Sequence, residues 1–144
     1  MTSLSPEQML CFALYSASNA VQQTYKPLLD PLGLTYPQYI VMSALWREDG
    51  VKMRALGQTV SLEANSLTPV VKRLEARGLL RRERSVVDER KVLIHLTEEG
   101  KALQAQAGEA AKGFLDCSGL DPKAAQELRD AVSALRNQLK SRLG

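Results

Sequence analysis

Two cysteines are the side chains of this sequence with the clearest potential for chemistry. Cys11 lies in the apolar run LCFALYSAS, and Tyr15 follows it by one helical turn. Cys117 lies near the other end of the chain, in LDCSGLDP. A buried cysteine packs like a small hydrophobic residue, whereas an accessible thiolate is a nucleophile that reacts with oxidants. The residues around Cys11 are compatible with both roles.

The sequence gives little indication of a metal site, a phosphate-binding loop or a catalytic triad. His95 lies alone in a predicted strand, with no cluster of cysteines or carboxylates at ligand spacing, so we expect no metal site. We see no Gly-rich phosphate loop and no Ser-His-Asp arrangement, and we expect neither a cofactor nor an enzyme. The N-terminal MTSLSPEQML lacks the features of a signal peptide, and no apolar run is long enough to cross a membrane. We therefore expect a cytoplasmic protein with reduced thiols, in which the two cysteines form at most a transient redox pair.

The positive charge of the chain is concentrated in one segment. Residues 72–91 hold eight basic and four acidic side chains, a net charge of +4, so the remainder of this +3 chain sums to −1. Such a local excess is typical of a surface that binds phosphates, although a solvated helix face rich in ion pairs gives a similar pattern. The order of the predicted elements has to decide between these interpretations.

The N-terminal third of the chain predicts two helices. SPEQ (residues 5–8) has the pattern of a capping box with proline at the first helical position, and it predicts the start of the first helix. That helix should end near Tyr25, because Pro27 disfavours its continuation. TYP (residues 35–37) opens a second helix, which is apolar on nearly all sides over residues 38–48 and should be buried.

A helix-turn-helix is predicted next. A short helix covers about residues 52–58, and a second helix follows with apolar residues at helical spacing. Asn65 is the favoured N-cap of this second helix, with Glu63 as the alternative, because proline at position 69 is best tolerated in the first turn. Gly78 is a suitable residue to end it.

A β-hairpin follows directly. LLRRERS (residues 79–85) and RKVLIHL (residues 90–96) have the composition of strands, and VVDER (residues 86–90) forms a polar loop between them. A helix-turn-helix followed by a hairpin is the order of a winged helix. We therefore predict a mainly α fold whose winged helix-turn-helix covers residues 40–96.

The helices on either side of the winged helix predict a homodimer. Thr97 caps a further helix, residues 115–122 break it, and Asp121 caps a last one. These helices carry apolar stripes too large to remain exposed, and a second copy is the simplest way to cover them. We assign the dimerisation part to residues 5–30 and 97–143. Paired winged helices would face two half-sites of DNA about 34 Å apart.

The candidate DNA-binding residues lie on the second helix of the helix-turn-helix and on the hairpin. Short polar and basic side chains at the N-terminal part of such a helix reach base edges and phosphates. On the helix these are Asn65, Ser66, Thr68, Lys72 and Arg73, and on the hairpin they are Arg81, Arg82, Arg84, Arg90 and Lys91. Asp88 is unusual on a DNA-binding surface, and we expect it to pair with a neighbouring arginine.

Several motifs together resemble the MarR family of repressors, and within it the branch that senses organic hydroperoxides, the OhrR-type repressors. The stretch from DER to LT resembles the family's wing. The resemblance covers residues 8 to about 105. One departure is LEANSLTP, where family members often have an Asp-Ser pair, and this affects the choice of operator. The motifs are LCFALY (10–15), LTYPQY (34–39), LTPVVKRLEARGL (67–79) and DER through LT (88–97).

The resemblance implies roles for four residues. Cys11 corresponds to the peroxide-sensing thiol, Tyr25 and Tyr36 correspond to tyrosines that hydrogen-bond it, and Cys117 corresponds to the resolving cysteine of two-cysteine members. Fourteen helical residues separate Cys11 from Tyr25, a rise of about 21 Å, so the two cannot touch within one helix. An antiparallel crossing of two first helices near Ser18 would bring them together across a dimer.

Three functions remain open from the sequence. The leading hypothesis is a repressor that releases DNA when an organic hydroperoxide oxidises Cys11 and a disulfide forms with Cys117 of the partner. The first alternative is a MarR-type repressor released by a small aromatic ligand, with Cys11 packed as a structural residue. The second alternative is a thiol peroxidase, and the winged helix and the segregated charge argue against it.

Overall fold

The computed structural model describes residues 3–88 and 91–143 of the chain, which form a mostly helical winged-helix structure with a small antiparallel sheet. This confirms the predicted fold class. The helices and strands, in chain order, are α1 (Leu10–Leu29), α2 (Tyr36–Arg47), β1 (Val51–Lys52), α3 (Met53–Val60), α4 (Ala64–Ala76), β2 (Leu80–Arg84), β3 (Val92–Leu96), α5 (Glu98–Ala102), α6 (Gln104–Ser118) and α7 (Pro122–Arg142).

The chain divides into two compact units, Met1–Ala110 and Ala111–Gly144. The hydrophobic core lies in the first unit, and α2 buries more of its side chains there than an amphipathic surface helix would. Val41, Met42 and Leu45 of α2 are all fully buried, which confirms the predicted central helix. Thr35 caps α2 through a capping box, because the Gln38 N–H donates to Thr35 Oγ1 (3.3 Å) and Gln38 Oε1 accepts from the Thr35 N–H (3.0 Å).

The first helix starts and ends later than the sequence predicts. The Ser5 N–H does donate to Gln8 Oε1 (3.0 Å), but these residues form a separate 3-10 turn, Pro6–Gln8, before α1 begins. At the other end α1 continues through Pro27 to Leu29. Leu29 is only 1% exposed, and its burial favours one further turn despite the hydrogen bond that proline cannot donate.

The helix-turn-helix consists of α3 and α4, and α4 begins earlier than expected. Its N-cap is Glu63, whose carbonyl accepts from the N–H groups of Ser66 (3.0 Å) and Leu67 (2.9 Å). The favoured cap, Asn65, is therefore wrong, and Pro69 lies in the second turn. The carbonyl that Pro69 leaves without its helical donor belongs to Asn65, an exposed residue that water can reach. Burial of the apolar side of α4 outweighs this lost bond.

The wing is a hairpin of β2 and β3, as predicted, to which the structure adds β1 as a third strand. The strand order is β1-β3-β2, with Leu80 opposite Leu96 and Val51 opposite Ile94. The sequence did not indicate β1, because two residues are too few to show an alternating pattern. The Ser85 N–H donates to the Lys91 carbonyl (2.9 Å) at the base of the loop.

Side chains fasten the base of the wing to the helices around it. Asp49 Oδ1 accepts the Leu96 N–H (2.8 Å), and Trp46 Nε1 donates to the Gly100 carbonyl (2.8 Å). Gly100 itself lies so close to the backbone of Leu79 that a Cβ atom there would be 2.0 Å from the Leu79 carbonyl oxygen. Only glycine fits this contact between α5 and the start of β2.

The C-terminal helices differ from the prediction in two respects. The predicted helix after Thr97 is interrupted at Leu103, which separates α5 from α6. The sequence placed Cys117 in a loop, but α6 continues to Ser118, so Cys117 lies in its last turn. No strong helix breaker precedes Gly119, and that residue has a φ of +72°. Asp121 caps α7 as predicted. None of the described helices is long and apolar enough to cross a membrane.

Candidate functional site

Cys11 is the second residue of α1, and its side chain is exposed in the single chain. Large apolar neighbours share this exposure, since Leu10 is 64% exposed and Tyr15 is 67% exposed. The thiol therefore does not pack in the core of its own chain. The first turn of a helix is also where the backbone dipole favours a negative charge.

Three tyrosines form a cluster where the C-terminal half of α1 meets α2. Tyr25 comes from α1, and its ring centroid lies 5.3 Å from that of Tyr36 and 5.4 Å from that of Tyr39. The rings of Tyr36 and Tyr39 are 6.4 Å apart. The structure thus brings Tyr25 and Tyr36 together and adds Tyr39, which the sequence analysis did not assign, although its position three residues after Tyr36 on an apolar helix was a signal.

The tyrosine cluster keeps its phenols protonated. Burial raises the pKa of Tyr25, and the neighbouring phenols raise it further. Burial, followed by the proximity of Tyr39, also raises the pKa of Tyr36. Both hydroxyls therefore remain neutral O–H donors over the pH range in which a thiol ionises, which is the state required to hydrogen-bond a thiolate.

Cys11 and the tyrosine cluster are separate within one chain. Both lie along α1, and the fourteen residues between Cys11 and Tyr25 correspond to about 21 Å of helix. Cys117 belongs to the second compact unit. A contact between Cys11 and the phenols therefore requires a second copy of the chain.

The predicted DNA-contacting residues of α4 differ in their environment. Asn65, Ser66, Lys72 and Arg73 are exposed. Thr68 is half-buried, and its hydroxyl donates to the Ala64 carbonyl (2.8 Å), so part of its hydrogen-bonding capacity is used within the helix.

On the hairpin, the predicted DNA-contacting residues that the structure describes are mostly exposed, Arg81 among them. Arg84 and Lys91 are exposed. Arg81 pairs with Glu83 (3.2 Å), and the Glu83 carboxylate also lies 3.1 Å from His95 Nε2. In the two described stretches, no group of His, Cys, Asp or Glu could hold a metal ion.

Two of the predictions about the loop remain untested. Asp88 is half-buried, its N–H donates to Ser85 Oγ (3.3 Å), and its expected pairing with an arginine stays a prediction. Arg90, predicted to contact DNA, lies outside the described residues.

Two arginines of the basic segment hold α4 in place. Arg82 Nε donates to Glu75 Oε1, and the Arg82 backbone N–H donates to Glu75 Oε2, both at 3.0 Å. The charge that the sequence analysis assigned to the hairpin surface is therefore paired with a carboxylate of α4. Arg77 at the end of α4 donates to the carbonyls of Leu32 and Gly33, in the turn after α1. Both contacts join residues from different elements, so periodicity could not reveal them.

The bond to Arg82 makes the stability of the fold depend on pH. Hydrogen bonds from the Arg82 side chain and backbone hold the pKa of Glu75 below its ordinary value of 4.5. The stabilisation is complete above that value and is lost as the pH falls through the lowered pKa. We expect Glu75→Gln to destabilise the protein by up to about 1 kcal/mol at pH 7, with the difference from wild type shrinking toward pH 3. Urea unfolding of both proteins at several pH values measures this, and a difference independent of pH would contradict it.

Comparison with known proteins identifies the family. The family of transcriptional regulators SarA/Rot matches residues 23–106. The organic hydroperoxide resistance transcriptional regulator of Bacillus subtilis is 40% identical over 94% of this chain and 90% of its own length. Among solved structures, reduced AbfR bound to DNA, a Staphylococcus epidermidis protein, is 34% identical with a TM-score of 0.80, over 94% of this chain and 92% of that one.

A second solved structure carries the family's other name. A MarR-family transcriptional regulator from Rhodococcus sp. RHA1 is 25% identical with a TM-score of 0.81, over 92% of this chain and 96% of that one. The winged helix and these relatives agree. The chain belongs to the SarA/Rot and MarR-type family of winged-helix transcriptional regulators.

Proposed function

We propose that this protein is a homodimeric repressor that binds operator DNA and releases it when an organic hydroperoxide oxidises Cys11. The observation that carries the proposal is the separation of two complementary parts along α1. An exposed thiol lies at one end of the helix, and neutral, half-buried phenols lie at the other. The identity of 40% with an organic hydroperoxide resistance regulator supports this assignment.

A dimer joins the two parts. Cys11, Ser18 and Tyr25 repeat at intervals of seven residues, which keeps them on nearly the same face of α1. Two copies of α1 crossing antiparallel at Ser18 place Cys11 of each protomer beside Tyr25 and Tyr36 of the other. The exposed apolar residues of α1 gain a partner in the same step.

The exposed stripe of α7 supports the same assembly. Leu128 is 56% exposed, Val132 is 40% exposed and Leu139 is 52% exposed, although these residues recur at helical spacing. A second copy of the chain covers such a stripe without requiring another protein. The dimerisation part then comprises residues 5–30 and 97–143, with the DNA-binding part at residues 40–96 between them.

The chemistry starts from the Cys11 thiolate. The thiolate sulfur attacks one oxygen of the hydroperoxide, the O–O bond breaks, the alcohol leaves after protonation, and Cys11 becomes a sulfenic acid. The thiol of the partner's Cys117 then displaces this hydroxyl as water and forms a disulfide. Two solved AbfR structures, one described as reduced and bound to DNA and one as disulfide formed, are 34% and 36% identical to this chain.

DNA binding uses α4 and the wing of each protomer. The exposed polar residues at the start of α4 face the major groove, and the charges of the hairpin contact the backbone. In a dimer the two α4 helices meet successive turns of the duplex, about 34 Å apart. A disulfide that draws the C-terminal helices across the dimer changes this spacing, and the operator is released.

A gel shift on operator DNA tests the proposed switch. Cumene hydroperoxide should release wild-type protein, whereas Cys11→Ser should bind DNA with similar affinity and stay bound after the same treatment. Dithiothreitol should restore binding of the wild type. Release of Cys11→Ser by the hydroperoxide would refute the mechanism. Release of both proteins by an aromatic ligand, with no effect of peroxide, would favour the alternative repressor.

The basic surface of α4 has its own test. Lys72→Ala should weaken operator binding and reduce the slope of log K against log salt by about one unit per protomer, because each phosphate contact contributes nearly one unit. Lys101→Ala is the matched control, since Lys101 pairs with Glu98 in α5 (3.5 Å) outside the basic segment, and its slope should equal that of the wild type. Equal slopes for wild type and Lys72→Ala would remove Lys72 from the interface.

A further inference from the structure

Two adjacent valines at the tip of the wing are exposed in a way that the proposed dimer does not explain. Val86 is 99% exposed and Val87 is 97% exposed, more than any other large hydrophobic residue that the structure describes. The exposed apolar residues of α1 and α7 lie in the proposed dimerisation part, where a second copy covers them. The two valines lie in the DNA-binding part, between β2 and β3, so their exposure needs another partner.

Hydrogen bonds within the loop hold the wing tip in shape. The N–H groups of Val87 (3.2 Å) and Asp88 (3.3 Å) both donate to Ser85 Oγ. The Lys91 N–H donates to the Asp88 carbonyl (2.9 Å). These backbone donors are used inside the loop, while the valine side chains extend into solvent. Because a valine side chain is also restricted at χ1, the tip loses little conformational freedom when it binds.

We propose that Val86 and Val87 enter the minor groove of operator DNA and favour A·T base pairs there. This inference rests on the proposed function, because it requires that the wing contacts DNA. The valines lie inside the basic segment of residues 72–91, and Arg84 and Lys91 are exposed on the two sides of the loop. Positive side chains on both sides of an apolar tip fit a groove whose two edges are phosphates.

The hairpin is long enough for its tip to reach this groove. Strand β2 begins shortly after α4 ends, and its five residues span about 17 Å. The duplex repeats about every 34 Å, so a major groove and the adjacent minor groove are about 17 Å apart. The minor groove, about 6 Å wide, admits a loop tip but no helix. With α4 in the major groove, the valines therefore reach the minor groove beside it.

The preference for A·T pairs follows from one amino group. In the minor groove an A·T pair presents only acceptors, whereas a G·C pair adds the guanine N2 donor. That amino group projects from the floor of the groove and keeps the valine methyl groups away from it, and valine cannot accept its hydrogen bond. Runs of A·T pairs also narrow the groove, which brings its walls closer to the methyl groups.

Val86→Ala and Val87→Ala test the contact, because each removes two methyl groups and keeps the backbone bonds of the loop. The DNA is a duplex selected by its binding to the wild type from a pool of random sequences. Each variant should bind it about tenfold more weakly, the factor for two buried methyl groups, with an unchanged slope of log K against log salt. Lys91→Ala on the same hairpin should instead reduce that slope. Affinities of both valine variants equal to that of the wild type would overturn the inference.

Duplexes that differ only in the base pairs under the wing, located by hydroxyl-radical footprinting, test the groove. Replacing G·C by inosine·C removes the guanine amino group and leaves the major-groove edges unchanged. The wild type should bind the inosine·C and A·T duplexes alike, and the G·C duplex about tenfold more weakly, a typical cost for one unfavourable base pair. The preference should disappear in the Val86→Ala, Val87→Ala double variant, and its persistence there would show that the valines do not cause it.

The outcomes separate this inference from the proposed function. If Lys91→Ala reduces the salt slope while the valine variants bind normally, only the role of the valines is refuted. If all three variants bind like the wild type, the proposed contact of the wing with DNA fails as well. Valine variants that bind DNA normally but self-associate less in sedimentation would assign the tip to a contact with another copy of the chain, and the inference would be wrong.

Discussion

A Gly100→Ala variant should lose about 3 kcal/mol of its free energy of unfolding, at the upper end of what overpacking usually costs. The added Cβ would lie 2.0 Å from the Leu79 carbonyl oxygen and 3.0 Å from its carbonyl carbon, so the backbone has to move. That movement is opposed on both sides. The Leu79 carbonyl accepts the Thr97 N–H (3.2 Å), and Trp46 Nε1 donates to the Gly100 carbonyl (2.8 Å).

Gly108→Ala provides a control of opposite sign. Gly108 lies in α6, and a Cβ there meets nothing within 4 Å. Alanine should therefore stabilise the helix, by up to about 1 kcal/mol. Urea unfolding of both variants and the wild type at one protomer concentration measures the effect, because the stability of a dimer depends on concentration. If Gly100→Ala and the wild type unfold at the same urea concentration, the contact between Gly100 and the Leu79 backbone is not as close in solution as the structure shows, and the prediction is wrong.

Treatment with cumene hydroperoxide should convert the wild-type protein almost completely to a covalent dimer on non-reducing gels. Cys11 and Cys117 are both exposed in the single chain, and neither forms a disulfide there. In the proposed dimer the sulfenic acid of Cys11 meets the Cys117 thiol of the other protomer, and the bond requires Cα atoms within about 7 Å. Cys117 lies in the last turn of α6, two residues before Gly119, whose backbone permits a change of direction.

Two single variants test whether Cys11 and Cys117 form the covalent link. Cys11→Ser and Cys117→Ser should each abolish the covalent dimer. Cys117→Ser should still form the sulfenic acid, detectable with a dimedone probe, but its release from DNA should not last. Full release of wild-type protein that runs only as a monomer on the gel would contradict the intersubunit disulfide.

The sequence predicted those elements whose signals are local. Thr35 and Gln38 form the box that starts α2, and Asp121 accepts the Ala124 N–H (2.7 Å) at the start of α7. The hairpin also followed from composition and from its position after Gly78. In each case the residues that specify the element also make the bonds that define it, so a short stretch of sequence contains the whole signal.

The errors arose where distant packing decides. Pro27 and Pro69 both looked like limits of a helix, yet α1 and α4 carry them in their interiors. Burial of Leu29 on one helix and of Leu67 on the other outweighs a missing backbone bond, and burial depends on residues far along the chain. Cys117 looked like a loop residue only because Gly119 and Pro122 follow it closely.

In the candidate site, too, the features with local signals were predicted and those that depend on distant residues were missed. The pairing of Tyr25 with Tyr36 followed from a family resemblance, and the distance between Cys11 and Tyr25 followed from helix geometry alone. Tyr39 and Arg77 were missed, because their partners lie on other elements. Arg77 reaches a turn more than forty residues earlier in the chain, and no periodic pattern encodes such a contact.

The Arg77 contact fixes the C-terminal end of α4, so a small rotation there displaces the opposite end of the helix by a larger distance. Arg77 holds that end to the turn after α1, and the bond between Glu75 and Arg82 holds the last turn to the wing. Helix α4 has 13 residues and is about 20 Å long, so its N-terminal end lies about that distance from the Arg77 contact. A rotation of about 5° of α4 about the Arg77 contact would displace Asn65 by about 2 Å, more than a base-edge hydrogen bond tolerates. A slight shift of the turn after α1 would therefore be enough to misalign the end of α4 that faces DNA.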